Sequence, residues 1–592
     1  MRMASVVAVV AAAAVPTTRC TTGVDLATLG HTSHRRIRQS STAASDPSAC
    51  PFQLGRCLWL PLPAAPQTVY QRGVPHTDRH GRPRIEFDPS TSFLPLALYH
   101  ALTGTPAPIN CAHPKRDCNY SLDVVASANF NTVHFWEGIH LDRGLADAEK
   151  HGLQVIFHIE ATSDTLPLGD QYPFIDTPVV RAVANFSNHT ALLGWMLEEE
   201  PSGAYYETAT NTTKMQAAFA RFMQRKAAIA AADPTHPAFA LDTQWYTCPG
   251  NKCGIGPGHL PSPTPAAECV GEWWLKWNTA GDISCHDNYA FPSGQPFFPG
   301  LTTLGAPTTW GGIPQTVALA SAINNESKPV WITIQCHEIE LLSAYGAHIP
   351  SPRQIRVQAW AGIIHGATGV IYYAFDSWVL RSSGEVGMAP DMAFNRGLDW
   401  AGHWPSNSST GLNSESVAAW NAAKETNMEL SALKHIILAP TSSQPYSVSL
   451  MAVPPPGTRC AWVRDGSDFA SELGSSDGGL NRAISSGTPA NCPSSNASVT
   501  PIRTLLKGPV EGAFYLFAVN LDNTALGARI ELPRSLTPTQ TEPPGSDGKF
   551  ETVFEGGRRL RATTASCSSF SCFVDGFEPF GVHVYRWVAP NS

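Results

Sequence analysis

The sequence predicts an α/β fold: a (β/α)8 TIM barrel followed by a smaller all-β sandwich. Three observations carry this reading. Short apolar runs alternate with helix-like runs eight times between Phe93 and about His435. No G-x-G-x-x-G turn follows the first of them, which disfavours the doubly wound alternative. Past Pro440 the period shortens to alternating runs separated by Gly, Pro and Ser clusters, the pattern of a sandwich. A chain of 592 residues is too long for one compact core. The expected division is 1–65 as leader and linker, 66–438 as the barrel with an N-terminal hairpin, and 439–592 as the sandwich.

Taken in order, Ala4 to Val15 is an apolar Ala/Val segment behind Arg2, too short to span a bilayer. It reads as a signal-peptide core. A transit peptide is the alternative, because His34 to Arg38 and the Ser/Thr/Ala tract to Ser45 are basic and poor in acids. Val69 to Asp88 suggests a hairpin turning at Asp78 to Gly81. Strands are expected at Phe93–His100, Asn131–Trp136, Gln154–Ile159, Leu192–Leu197, Ala238–Asp242, Asp282–His286, Val330–Ile334 and Val370–Tyr373. Helices are expected at Ser121–Asn129, Leu141–His151, Lys214–Ala231, Ile313–Ile323 and Glu415–His435, with another running from Ser351-Pro352 to His365. Gly152 follows one helix as a C-terminal signal, and Ser351-Pro352 opens another as cap and first turn. In the last third, strands are expected at Tyr446–Val453, Ala513–Asn520, Arg529–Leu532, Phe550–Phe554 and Gly581–Trp587. Gly466 to Asn496 reads as a Ser/Gly-rich loop.

The net charge of -8 and the absence of a basic run interleaved with aromatics argue against a nucleic-acid partner. No segment is long and apolar enough to be transmembrane. Close cysteine pairs, Cys50/Cys57, Cys111/Cys118, Cys248/Cys253 and Cys567/Cys572, suit disulfides in an oxidising compartment, with Cys269/Cys285 and Cys460/Cys492 as two further guesses. Paired C-x-x-C spacing for zinc is absent. N-x-S/T sequons at Asn119, Asn185, Asn188, Asn211, Asn325, Asn407 and Asn496 fit a secreted glycoprotein.

In a barrel the chemistry sits at the C-terminal ends of the strands. Those ends carry Trp136 and Glu137; His158 and Glu160; Glu198, Glu199 and Glu200; Trp245; Asp287 and Tyr289; Gln335 and Glu338; Tyr373 and Trp378. Acids and aromatics dominate, and Lys and Arg are nearly absent. Aromatic faces suit sugar rings, and carboxylates suit hydroxyl groups and glycosidic oxygens, so the expected partner is a polysaccharide or oligosaccharide. No metal and no cofactor is expected. Trp273, Trp274 and Trp277 fall in a long loop where exposed rings would line a cleft. Along an extended strand, Glu198 and Glu200 would share one face and Glu199 the other. Cys336 reads as a buried free thiol.

The stretch Trp195 to Pro201 resembles the clan A glycoside hydrolases, (β/α)8 enzymes that include cellulases and β-galactosidases. In that clan the fourth strand ends W-x-x-x-[N/D]-E-P, and its Glu is the general acid/base. The resemblance puts Glu200 in that role, with Glu199 where the clan often has Asn or Asp. Asp287-Asn288-Tyr289 resembles the clan's sixth-strand segment with a Tyr that contacts the nucleophile. Gly369 to Tyr373, followed by Trp378, resembles its last strand and platform Trp. The clan often adds a C-terminal sandwich.

One position departs from this pattern. The clan's nucleophile is a Glu ending strand seven, and here that strand ends in Gln335, whose amide cannot attack an anomeric carbon as a carboxylate does. Three readings stay open. Glu338 takes the role through a shifted register. Alternatively, the enzyme inverts, with Glu200 as acid and Asp287, Glu137 or Glu160 as base. Otherwise the site binds sugar without cleaving it. Two acids are needed because one gives a proton to the leaving oxygen while the other stays ionised at the oxocarbenium-like centre.

Overall fold

The computed structural model describes residues 93–99, 122–135, 141–159, 183–201, 212–242, 276–289, 313–324, 328–337, 349–375, 387–388, 414–451, 463–464, 467–468, 502–521, 525–536, 549–561 and 570–588. The leader, the linker and the expected hairpin lie outside the described residues.

Eight strands close a parallel barrel: β1 (Leu96–Leu98), β2 (Thr132–Phe135), β3 (Gln154–His158), β4 (Leu192–Glu199), β5 (Ala238–Asp242), β6 (Ser284–Asn288), β7 (Val330–Gln335) and β8 (Gly369–Tyr373). Each pairs with the next, and β8 returns to β1 with Ala97 opposite Ile371. These segments are buried on both faces, as parallel strands covered by helices must be, and most are apolar, with the polar β6 (Ser-Cys-His-Asp-Asn) the exception. Gly369 leaves room for a large neighbour. A Cβ there would stand 2.5 Å from Cδ1 of Trp331, whose ring also packs edge-on against Phe239 at 5.3 Å.

Around the barrel run α1 (Asp123–Ser127), α2 (Leu141–Lys150), α3 (Thr212–Ala232), α4 (Ile313–Ile323), α5 (Pro352–Ile364), α6 (Ser414–Ala432) and the short α7 (Lys434–Ile437). After α2 the chain turns at Gly152 with φ of 69°, a left-handed conformation that a side chain would strain. Ser351 caps α5. Its hydroxyl accepts from Gln354 N at 3.4 Å, and the Gln354 side chain accepts from Ser351 N at 2.8 Å, with Pro352 in the first turn.

The C-terminal part forms two antiparallel sheets. The first contains β12 (Ile502–Val510), β13 (Ala513–Asn520), β18 (Val582–Val588), β15 (Lys549–Thr552) and β16 (Arg559–Arg561), in that order; the second contains β17 (Phe570–Phe577), β14 (Leu526–Pro533) and β9 (Ser447–Met451). A two-stranded ladder, β10 (Val463–Arg464) with β11 (Ser467–Asp468), falls at the edge of the stretch expected to be a loop. Sequence alternation sorts β13 between two cores. Phe514, Leu516 and Ala518 pack inside the sandwich, while Ala513, Tyr515, Phe517 and Val519 pack with the barrel cluster. The five-stranded sheet is therefore a middle layer, buried on both faces. Trp360 of α5 meets Phe517 with ring centroids 5.4 Å apart. Arg356 binds Glu429 through Nε at 3.1 and 2.9 Å and donates to Val582 O at 3.1 Å, tying α5, α6 and β18 together. Lys507, fully buried on β12, donates to Ala439 O at 2.6 Å where the chain leaves the barrel.

Candidate active site

The three consecutive acids of β4 part company. The pairing of β4 with β5 shifts register between Met196 and Glu198, a bulge that resets the alternation of side chains. Glu198 leaves the barrel and forms a buried ion pair with Arg225 of α3. This corrects the expectation that Glu198 and Glu200 share a face. Arg225 neutralises Glu198 outside the mouth, so Glu198 is a structural acid.

Glu199 turns inward. The Tyr99 hydroxyl donates to its Oε1 at 2.7 Å, and His158 Nδ1 stands 3.9 Å from its Oε2. Burial lowers His158 to about 3, so this imidazole is neutral at pH 7 and the 3.9 Å contact is not a charge pair. Tyr99 stacks on His134 at 3.7 Å and tilts against Tyr373 at 5.0 Å, and His134 lies 5.5 Å from His158. Burial and the neighbouring Glu199 push the Tyr99 phenol well above its ordinary value, so it stays a donor.

Glu200 ends the strand in the left-handed region, with φ of 44°, and its amide donates to Leu241 O at 2.7 Å. A non-glycine residue held there is strained by about 1–3 kcal/mol. The turn swings Glu200 toward β6, where its side chain hydrogen-bonds Asp287. Asp287 is 2% exposed, and burial drives its carboxyl well above the usual range, followed by the charges of Glu200, Glu199 and Asp242. Two carboxyls in hydrogen-bond contact hold one proton between them. Asp287 Oδ1 has no hydrogen-bond partner among the described residues.

Tyr289 follows Asp287 and is partly buried, edge-on to His337 at 4.9 Å and tilted to Tyr373 at 5.5 Å. Burial lowers His337 to about 4, and its Nδ1 lies 3.1 Å from Tyr373 O. A carbonyl only accepts, so Nδ1 carries the proton. Gln335 is fully buried. Its Nε2 donates to His337 O at 3.1 Å, and its backbone exchanges two hydrogen bonds of 3.1 Å with the Gln358 side chain of α5. The end of β7 is thus pinned by amides.

Among the candidate residues, Glu199, Glu200, His158, Asp287, Tyr289, Gln335 and Tyr373 gather at one end of the barrel. Glu338, Trp136, Glu137, Glu160, Trp245 and Trp378 lie outside the described residues. Sequence reasoning passed over His134. Its signal was the polar pair Thr132 and His134 at alternate positions of an otherwise apolar strand. Trp277 was expected on an exposed loop, but it is 2% exposed and packs edge-on against Phe219 and Phe222 of α3. The guessed Cys269/Cys285 bridge is also overturned. Cys285 is a free, buried thiol on β6. Cys336 is free and buried, as expected. No group of three His, Cys, Asp or Glu among the described residues is arranged to hold a metal ion.

Neither a protein-family model nor a curated protein sequence matches the chain. Solved structures do match. A family 39 glycoside hydrolase from Bacteroides cellulosilyticus WH2 is 12% identical, with 84% of this chain and 81% of that chain covered and a TM-score of 0.40. A GH42 β-galactosidase from G. stearothermophilus is 9% identical, with 83% and 98% covered and a TM-score of 0.43. An endo-β-1,4-mannanase from Thermotoga petrophila is 12% identical, with 74% and 94% covered and a TM-score of 0.32. At such identities and scores these likenesses add nothing to the barrel that the strand pairing already defines.

Proposed function

We propose that the protein is a glycoside hydrolase that cleaves a β-linked glycan, with Glu200 as the proton donor. The observation that carries this is the hydrogen bond between Glu200 and Asp287 at the barrel mouth. Burial and the charges of its neighbours favour the protonated form of Asp287 beside Glu200. Glu200, at the strand end and partly exposed, gives a proton to the leaving oxygen, and Asp287 behind it is the buried partner that retains its own. Glu199, held by Tyr99, is the second acid beside the sugar. Tyr289, only partly buried, supplies aromatic surface for its ring.

Hydrolysis of a panel of aryl β-glycosides and β-linked oligosaccharides tests this. Glu200→Gln should lower turnover by at least about a hundredfold with the fold intact by thermal melting. Unchanged turnover would reject the assignment.

A second reading rests on Gln335. An amide ends β7 where a carboxylate nucleophile would stand, which supports a carbohydrate-binding protein that does not cleave. Calorimetric binding of oligosaccharides without turnover by the wild type would favour it.

Export is inferred from the apolar leader, the close cysteine pairs and the sequons. Asn185 and Asn188 are exposed, and no helix among the described residues is long and apolar enough to cross a membrane. Recovery from the medium of expressing cells, with a mass loss on N-glycan removal, is the expected result.

A further inference from the structure

We propose that the substrate is a 2-acetamido-2-deoxy sugar and that its own acetamido oxygen is the nucleophile, with Glu199 receiving the amide N–H. This rests on the hydrolase reading above and names the group that attacks. Three features point to it. The β7 end is closed by Gln335, fully buried and bonded to His337 O and the Gln358 side chain, so among the described residues it presents no attacking oxygen anion. The proton donor Glu200 is followed inward by a second carboxylate one residue before it. Glu199 is fixed by the Tyr99 hydroxyl at 2.7 Å while its side chain keeps 23% of its surface exposed. A carboxylate so held is an acceptor aimed at a donor on the substrate, and the ring substituent nearest the anomeric carbon is at C2. Finally, Asp287 Oδ1 is buried and without a hydrogen-bond partner among the described residues, and Asp287 bonds Glu200, so one proton is stored beside the donor rather than a second free anion.

The step balances without a protein nucleophile. The acetamido carbonyl oxygen attacks C1 as the glycosidic C1–O bond breaks, and the leaving oxygen takes the Glu200 proton. Glu199 accepts the amide proton as charge develops on nitrogen, giving a bicyclic oxazoline. Water then attacks C1, its proton returns to Glu200, the C1–O bond of the oxazoline breaks, and Glu199 returns the proton to nitrogen. Two displacements at C1 leave its configuration retained. Such substrate-assisted routes are known exceptions to the two-carboxylate rule, and the attacking group gains from being intramolecular.

The test compares 4-nitrophenyl N-acetyl-β-glucosaminide and N-acetyl-β-galactosaminide with the corresponding glucoside and galactoside. The N-acetyl substrates should turn over at least about a hundredfold faster, with retention. Replacing acetyl by trifluoroacetyl should slow hydrolysis steeply, because fluorine weakens the attacking oxygen. The thiazoline analogue of N-acetylglucosamine, which mimics the oxazoline, should inhibit competitively. Glu199→Gln, folded by thermal melting, should lose about a hundredfold on the N-acetyl substrates. Equal turnover of the plain hexosides, with no effect of fluorination or thiazoline, would overturn this inference and leave the hydrolase reading intact. Absence of turnover on all four substrates and on the wider glycan panel would remove both.

Discussion

The Tyr99 hydroxyl donates to Glu199 Oε1 at 2.7 Å, so the end of β1 holds the acid at the end of β4 across the barrel mouth. The bond fixes Glu199 while Arg225 draws Glu198 outward and Asp287 takes Glu200. Each of three adjacent carboxyls thus has a different partner from a different element.

Tyr99→Phe removes the donor and keeps the ring stacked on His134. A hydrogen bond to a charged group is worth about 1.5–3 kcal/mol, so turnover should fall by roughly ten- to a hundredfold while KM changes less. Steady-state kinetics beside a thermal melt would separate lost positioning from lost folding.

Asp287 makes the barrel sensitive to rising pH. Its carboxyl titrates above the unfolded value of 3.8, because burial and then Glu200, Glu199 and Asp242 resist its ionisation. A raised carboxyl contributes its stability fully below the unfolded value and loses it as pH rises through the folded value. Asp287→Asn carries no such ionisation. Urea unfolding from pH 4 to pH 8 should show the variant gaining on the wild type as pH rises, with activity lost.

The sandwich behaves in the opposite sense at low pH. Burial alone would raise Glu555, but the bond and charge of His583 and the Arg558 guanidinium overcome it and lower the acid to about 2. The stability this provides is present above the unfolded value of 4.5 and is lost as pH falls through about 2. Glu555→Gln should cost on the order of 2–3 kcal/mol at pH 7 and flatten the dependence below pH 4.5. Denaturant melts at pH 2.5, 4.5 and 7 would reveal it.

The barrel and the five-stranded sheet share the Arg356, Glu429 and Trp360 junction. Trp360 Nε1 donates to Glu429 Oε2 at 2.9 Å beside the Arg356 contacts. Arg356→Ala leaves a largely enclosed carboxylate short of its cation, a loss of about 1–3 kcal/mol. Calorimetry should give one transition for the wild type and a lower or divided one for the variant.

Gly369→Ala places a methyl 2.5 Å from the Trp331 ring. Overpacking of this kind costs about 1–3 kcal/mol, visible as a lowered midpoint with an unchanged denaturant slope.

The chain's local periods determined where the elements lie. Ala238–Asp242, Ile313–Ile323 and Ala513–Asn520 fall where apolar runs and turn residues put them, because strand and helix periods are written in neighbouring residues. The strand Ile502–Val510 escaped notice. Lys507, Gly508 and Pro509 interrupt its apolar pattern, and the buried lysine donates to the distant Ala439 carbonyl. Tertiary structure alone decided the roles of the three β4 acids. A register shift against β5 just before Glu198 set which of them faces inward, the left-handed turn at Glu200 broke the alternation, and their partners Arg225, Tyr99 and Asp287 stand 27, 100 and 87 residues away in the chain. It also decided the fate of Gln335, held by Gln358 from a helix 23 residues on. Closure of the barrel brings such groups together, and no local pattern encodes which carboxyl will face which.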